Sequence, residues 1–305
     1  MPASPTFRLA GRDVSRIGYG AMQLGRDSQP DRDAAVAMAR TVADAGISHI
    51  DTAEFYPGVN DILREALHPS RDDLLLATKI GAVEDPQTRL RAAQRPEELR
   101  EQVHANLRSL GAERLGLVYI RRADLPPGII ATGDQIVPLD DQLAELVSLR
   151  DAGLIDAIGL SNVGTDHLRQ AMPAGIAAVQ NAYNLASRDG EPVLDLAAEH
   201  GIAWVPYFPL GSAWTPSAGA PEAFRRLQSV TDLPEVIAAA ERMGVTPSQL
   251  GLAWLLQHRD NVLLIPGTRS PAHLAENLAV ADIELPDEVV AALDAVDPQA
   301  ASDVG

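Results

Sequence analysis

The sequence predicts an α/β chain folded as one (β/α)8 barrel over residues 1–305, with a short N-terminal β-hairpin and a C-terminal helix. Three observations carry that expectation. Short apolar runs alternate with stretches of helical period, the connections between them are brief, and the runs end in hydrogen-bonding or charged residues. Alternation of this kind with short connections implies parallel strands, and about eight repetitions in 305 residues suit a closed barrel.

Taken in order, Phe7–Leu9 and Val14–Ile17 form the expected hairpin across Gly11 and Arg12. Strands are expected at Tyr19–Leu24, His49–Thr52, Leu74–Thr78, Leu117–Ile120, Ala157–Leu160, Ala177–Gln180, Ala203–Tyr207 and Val262–Ile265. Helices are expected between them at Asp31–Ala45, Asn60–Leu67, Pro96–Leu110, Leu139–Ala152, Thr165–Ala171, Pro192–His200, Leu233–Met243 and Pro247–His258, then at Pro286–Val296. Gly46, Gly111, Gly153 and Gly201 each follow a helical run, where a left-handed residue ends a helix well. Thr246-Pro247 reads as an N-cap followed by proline in the first turn. Arg122–Pro138 and Leu210–Asp232 are the two long irregular stretches.

Composition narrows the function. The net charge of −17 argues against nucleic acid and anionic membrane as partners, since both repel an acidic surface. No run is long and apolar enough for a membrane span, and Met1–Arg8 holds no export signal. The absence of cysteine removes disulfides and thiolate chemistry, so a reducing cytoplasm is the expected location. The seven histidines form no pair at ligand spacing, and no metal is expected. Oligomeric state is not legible.

Of 25 basic side chains one is a lysine, Lys79, directly after an apolar run. Lysine has a tunable amine where arginine stays charged, which singles Lys79 out for chemistry. The strand ends bring Asp51, Lys79, Arg121, Ser161, Gln180 and Tyr207 to one mouth, where a barrel keeps its active site. Asp51 and Lys79 fall on adjacent strands, and Tyr56 lies in the loop after the first of them. A free phenol is a poor acid near neutrality, and a neighbouring ammonium favours its ionised form. Tyrosine, lysine and aspartate together make a proton-donating assembly.

The stretch His49-Ile-Asp-Thr-Ala-Glu-Phe-Tyr56, the Ala-Thr-Lys of 77–79, Gly159-Leu-Ser-Asn162, Val179-Gln-Asn181, Tyr207-Phe-Pro-Leu-Gly211 and Ile265-Pro-Gly-Thr268 with Asn277 resemble the aldo-keto reductases in order and spacing. Within that family the chain is most similar to bacterial NADPH-dependent pyridoxal reductases, through Ala21-Met-Gln-Leu24, Thr78-Lys-Ile-Gly81, Leu255-Leu-Gln and Leu264-Ile-Pro-Gly-Thr268. The resemblance implies hydride transfer from NADPH to a small aldehyde or ketone, with pyridoxal a candidate. It implies Tyr56 as general acid, Lys79 as its partner and Asp51 as the partner of Lys79. Ser161, Asn162 and Gln180 would hold the nicotinamide carboxamide, and Tyr207 would stack on the ring. Leu210 and Ser212 would lie along the pyrophosphate. Thr268, Arg269, Ser270 and His273 would surround the 2′-phosphate, with Glu276 and Asn277 at the adenine.

Two positions depart from the family pattern. Arg121 stands where the family has a histidine, a change the pyridoxal reductases share, and it could stabilise developing charge on oxygen or grip an anionic substrate group. Pro57 follows Tyr56 where glycine is common. Met22, Phe55 and Trp214 are candidate pocket walls. A cofactor-binding partner subunit with little turnover is the alternative reading. A Schiff-base enzyme using Lys79 would leave the cofactor-type residues without a role.

Overall fold

A computed structural model describes residues 6–25, 32–68, 73–126, 128–211 and 229–296. Strands β1 (Thr6–Leu9) and β2 (Arg12–Ser15) form an antiparallel hairpin. The barrel staves follow as β3 (Tyr19–Gly20), β4 (His49–Asp51) and β5 (Leu75–Ile80). A second hairpin, β6 (Ala82–Asp85) with β7 (Arg89–Ala92), leaves the end of β5. The remaining staves are β8 (Leu117–Arg121), β9 (Ile158–Ser161), β10 (Ile176–Gln180) and β11 (Ala203–Trp204). Among the described residues these staves make a seven-stranded parallel sheet running in chain order from β3 to β11.

The predicted eighth strand, Val262–Ile265, makes parallel bridges rather than a full ladder. Val262 pairs with Trp204 on one side, and Leu264 with Ile17 on the other. Leu263 N donates to Trp204 O, and Leu264 N to Arg16 O, both at 2.8 Å, so the ring closes. Arg16, buried beside this seam, donates to the carbonyls of Val262 (3.0 Å), Leu256 (2.6 Å) and Arg259 (2.8 Å). Three charge-assisted bonds offset the cost of burying a guanidinium there.

Side chains alternate across each stave with the period of two that extended backbone imposes. Leu75, Ala77, Leu117, Tyr119, Ala157, Ala178, Ala203, Val205, Leu263 and Ile265 fill the lumen, plugged below by Leu9 and Val14 of the hairpin. The intervening Ile50, Ile80, Val118, Ile120, Ile158, Leu160, Val179, Trp204 and Leu264 face outward into the helix layer. Small lumen residues make room for large ones. A Cβ on Gly159 would run into the Tyr119 ring.

The helices are Arg32–Asp44, Val59–Leu67, Pro96–Leu110, Leu139–Asp151, Thr165–Ala171, Glu191–Glu199, Pro234–Met243, Pro247–His258, Pro271–Leu278 and Asp287–Asp294. Gly46, Gly111, Gly153 and Gly201 hold φ of 82°, 64°, 76° and 65°, the left-handed region that suits glycine. Thr246 caps the Pro247 helix by accepting from Gln249 N at 3.2 Å.

Other elements also differ from the sequence expectation, the strand expected at Ala203–Tyr207 ending at Trp204. The stretch expected as a strand to Leu24 turns into a 3-10 helix at Ala21–Gly25, where Gly25 packs on the Pro57 carbonyl with no room for a Cβ. The second hairpin was not expected. Its turn is made by Asp85, whose carboxylate accepts from the backbone of Gln87 (2.9 Å) and Thr88 (2.8 Å), a side-chain turn that apolar periodicity does not reveal. Helix Pro271–Leu278 was likewise unexpected, although Ser270-Pro271 repeats the cap signature of Thr246-Pro247.

His49 lies in the barrel wall against Gly18, with both ring nitrogens buried and without a hydrogen-bond partner. Burial pulls its pKa from 6.5 to about 4. Between those values the unfolded chain takes up a proton that the folded chain refuses, so His49 makes stability fall as pH drops from 6.5 towards 4. The expected contribution at pH 5 is on the order of 2 kcal/mol. Urea unfolding at pH 7 and pH 5 measures it, and His49→Gln is expected to lose less stability across that interval than the parent.

Candidate active site

The inward alternation of the staves carries their last residues into the mouth of the barrel. Lys79 lies one residue before the end of β5, opposite Tyr119, and Arg121 ends β8 opposite Ser161, which in turn registers with Gln180 of β10. Asp51 ends β4. Lys79 and Asp51 are both buried and form an ion pair, with Lys79 Nζ also donating to Thr52 O at 3.0 Å. The second Asp51 oxygen accepts from Gln180 Nε2 at 2.9 Å. Burial alone would drive the Lys79 pKa down, but the Asp51 carboxylate and the hydrogen bonds to Asp51 and Tyr56 outweigh it and raise it, so Lys79 stays an ammonium. Burial and the Asp51 carboxylate push the Tyr119 phenol well above the ordinary tyrosine value, keeping it neutral in the layer below.

Tyr56 reaches this pair from the loop after β4. Its ring centroid lies 5.2 Å from Lys79 Nζ, and Phe55 packs edge-on against it at 5.2 Å. Tyr56 N donates to Ala53 O at 3.0 Å, and Tyr56 O accepts from Val59 N at 3.1 Å, so the loop is tied at both ends despite Pro57.

Behind the mouth runs a chain of buried amides and hydroxyls. Thr52 Oγ1 donates to Asn60 Oδ1 (2.8 Å), and Asn106 Oδ1 accepts from both Asn60 Nδ2 (3.3 Å) and Thr78 Oγ1 (2.6 Å). Gln102 accepts from Gly81 N at 2.8 Å. Gln94 Nε2 donates to the carbonyls of Gly81 (2.5 Å) and Arg121 (2.8 Å). Gln142 bonds Gln94 (3.0 Å) and accepts from Arg122 (2.5 Å). These groups fix the ends of β4, β5 and β8 from the helix side, and sequence reasoning missed them. An isolated Asn or Gln on a helix gives no signal of burial; its position on the apolar face of Pro96–Leu110 is the one clue.

On the far side of the mouth Ser161 Oγ, Gln180 Oε1 and Tyr207 Oη are buried with no hydrogen-bond partner among the described residues. Buried polar atoms are ordinarily satisfied, so this set fits a ligand that brings its own amide. Asn162 also holds the loop after β8. At φ 60° its amide nitrogen donates to the carbonyls of Leu125 (2.5 Å) and Arg122 (3.3 Å), serving the loop after β8. Asn181 braces this turn through Val163, accepting from its N–H at 3.1 Å and donating to its carbonyl at 2.7 Å. The Arg121 guanidinium lies 5.8 Å from the Tyr207 ring centroid.

The remaining expected positions gather beyond the eighth stave. Tyr19 Oη donates to Thr268 O at 2.5 Å, and Thr268 Oγ1 accepts from Ser270 N at 3.0 Å. Ser270 caps helix Pro271–Leu278 by accepting from His273 N at 3.3 Å. Arg269 and His273 are exposed at the head of that helix, with Glu276 and Asn277 further along it. Leu210 packs towards Val230 and Gly251. Ser212 and Trp214 lie outside the described residues. Among the described residues no group of three or more His, Asp or Glu could hold a metal ion, and no helix is long and apolar enough to cross a membrane.

A closed barrel with an ion-paired lysine beneath a tyrosine, and unpartnered acceptors on the neighbouring stave ends, defines a barrel enzyme with its site at the carboxyl ends of the strands. Comparison with known proteins gives the family. The aldo/keto reductase family model matches residues 16–298. Pyridoxine 4-dehydrogenase of Escherichia coli is 42% identical, over 96% of this chain and 99% of the relative. An uncharacterised oxidoreductase of Schizosaccharomyces pombe is 33% identical, over 95% of this chain and 89% of its own. The structure of an aldo-keto reductase from Klebsiella pneumoniae in complex with NADPH superimposes with a TM-score of 0.78 at 27% identity, over 98% of this chain and 96% of that one. The chain belongs to the aldo/keto reductase family, and it is an oxidoreductase of carbonyl and alcohol groups.

Proposed function

We propose that this chain, acting as a single barrel domain, reduces aldehydes or ketones with NADPH and that Tyr56 is the proton donor. The observation that carries the reading is the buried Asp51–Lys79 pair with the Tyr56 ring 5.2 Å from the ammonium. When bound, NADPH supplies the hydride that forms the new C–H bond at the carbonyl carbon. Tyr56 gives its phenolic proton to the carbonyl oxygen, and the Lys79 ammonium stabilises the phenolate that remains. Asp51 keeps Lys79 charged and in place, and Gln180 holds Asp51. Similarity to pyridoxine 4-dehydrogenase makes pyridoxal the first substrate to test. A cysteine-free barrel of this kind suits a reducing cytoplasm.

Ser161 Oγ and Gln180 Oε1 fit the carboxamide of the nicotinamide, with Asn162 alongside and Tyr207 presenting its ring to the base. Leu210 would lie along the pyrophosphate. Thr268, Arg269, Ser270 and His273 receive the 2′-phosphate at a helix N-terminus, where backbone N–H groups favour an anion, and Glu276 and Asn277 meet the adenine. Absorbance of NADPH in the presence of a panel of carbonyl compounds tests the activity. Loss of the signal with pyridoxal or another aldehyde is expected, and none with any carbonyl would overturn the reading.

Cofactor preference follows from Arg269. NADPH is expected to bind more tightly than NADH, and Arg269→Ala to weaken NADPH about tenfold to hundredfold while leaving NADH nearly unchanged, the scale of a hydrogen bond to a charged group. Fluorescence titration of both cofactors checks this, and the preference is expected to shrink with added salt.

A further inference from the structure

We propose that Gln180 couples cofactor binding to the proton donor, one amide receiving the nicotinamide carboxamide at one end and holding Asp51 at the other. The inference rests on the nicotinamide site proposed above and adds a positioning role to it. Gln180 ends β10 and is fully buried. Its Nε2 donates to Asp51 Oδ2 at 2.9 Å. An ionised carboxylate only accepts, so the amide cannot turn round without setting two acceptors face to face. Asp51 therefore fixes Oε1 at the free end of the amide. There it is buried without a partner among the described residues, as is Ser161 Oγ on the neighbouring stave in register with it.

The other end of the amide leads to the acid. The Asp51 carboxylate receives Gln180 on one oxygen and the Lys79 ammonium on the other. Lys79 Nζ lies 5.2 Å from the Tyr56 ring centroid. Asp51, Lys79 and Gln180 are all buried, and buried hydrogen bonds in series polarise one another. An N–H donor on Oε1 draws density along the amide and strengthens the Nε2–H bond to Asp51. A carboxylate held more firmly by Gln180 leaves more of the ammonium's charge to the phenol, and the phenolate left by proton transfer is better stabilised. Occupation of the carboxamide site thus readies the acid, and by reciprocity the state of Asp51 alters cofactor affinity.

The test is a binding cycle read by calorimetry. NADPH, and its analogue with an acetyl group in place of the carboxamide, are titrated into the parent, Asp51→Asn, Gln180→Met and the double variant. The analogue keeps the carbonyl and lacks the N–H donor. Asp51→Asn is expected to weaken NADPH by about fivefold or more and the analogue by less than about twofold, because a neutral amide no longer fixes which end of Gln180 faces the cofactor. On the Gln180→Met background Asp51→Asn changes NADPH affinity by less than about twofold. In Gln180→Met, kcat at saturating NADPH falls about tenfold, a loss that a contact serving binding alone does not cause. Additive effects on NADPH affinity, equal weakening of both cofactors in Asp51→Asn, or an unchanged kcat in Gln180→Met would each overturn the inference and leave the reductase reading standing. Parental NADPH affinity in Gln180→Met would place the nicotinamide elsewhere, and the site reading would fall with the inference. Circular dichroism reports folding. If Gln180→Met does not fold, the two cofactors in Asp51→Asn decide; if Asp51→Asn does not, the kcat of Gln180→Met does.

Discussion

Tyr56→Phe is expected to lose about 10²–10⁴ in kcat, the range general acid catalysis supplies, with NADPH affinity changed little. The substitution removes one oxygen and keeps the ring. The edge-on contact with Phe55 and the two backbone hydrogen bonds of residue 56 survive, so the loop holds its place. Steady-state rates with pyridoxal alongside NADPH titration separate the two quantities. An effect on KM alone would mean that the phenol binds substrate without moving a proton.

Lys79→Arg is expected to cost at least a hundredfold in kcat/KM, even though the charge is kept. Lys79 Nζ is engaged at once by the Asp51 carboxylate and the Thr52 carbonyl, in a site where both charged side chains are buried. A planar guanidinium cannot enter that space without displacing Asp51 or tilting Tyr56. Either movement takes the cation away from the phenol. Stability falls as well, because a buried ion pair broken on one side leaves the other charge uncompensated, at about 3–5 kcal/mol when the partner is lost outright. Turnover and urea unfolding on the same variant are both informative: a stable Lys79→Arg protein with near-parental turnover would remove Lys79 from the chemistry.

Legibility followed the range of the interactions. Pro96–Leu110, Thr165–Ala171 and Pro247–His258 were read end to end, because Gly111 and Thr246-Pro247 are local signals and the apolar period is long. The eighth stave was read as a strand, yet its pairing is with Arg16–Gly18 and Trp204, a closure between distant parts of the chain that no local pattern displays. At the site, Asp51, Lys79 and Arg121 were visible as charged residues directly after apolar runs, and alternation carried them inward. The amides behind them were not. Asn60 meets Asn106, and Gln94 meets Gln142, across two helix-strand units, and each amide looks like a surface residue until its partner is known. The turn of Asn162 towards the 122–125 loop belongs to the same class, set by a left-handed backbone that the letter Asn permits without requiring.

A crystal structure of the NADPH complex tests the central claim most directly, by showing where the Tyr56 phenol oxygen lies. The account predicts that oxygen hydrogen-bonded to Lys79 Nζ and facing the nicotinamide, with Ser161 Oγ and Gln180 Oε1 satisfied by the carboxamide. A phenol turned to bulk solvent, with the nicotinamide bound away from Ser161 and Gln180, would contradict it.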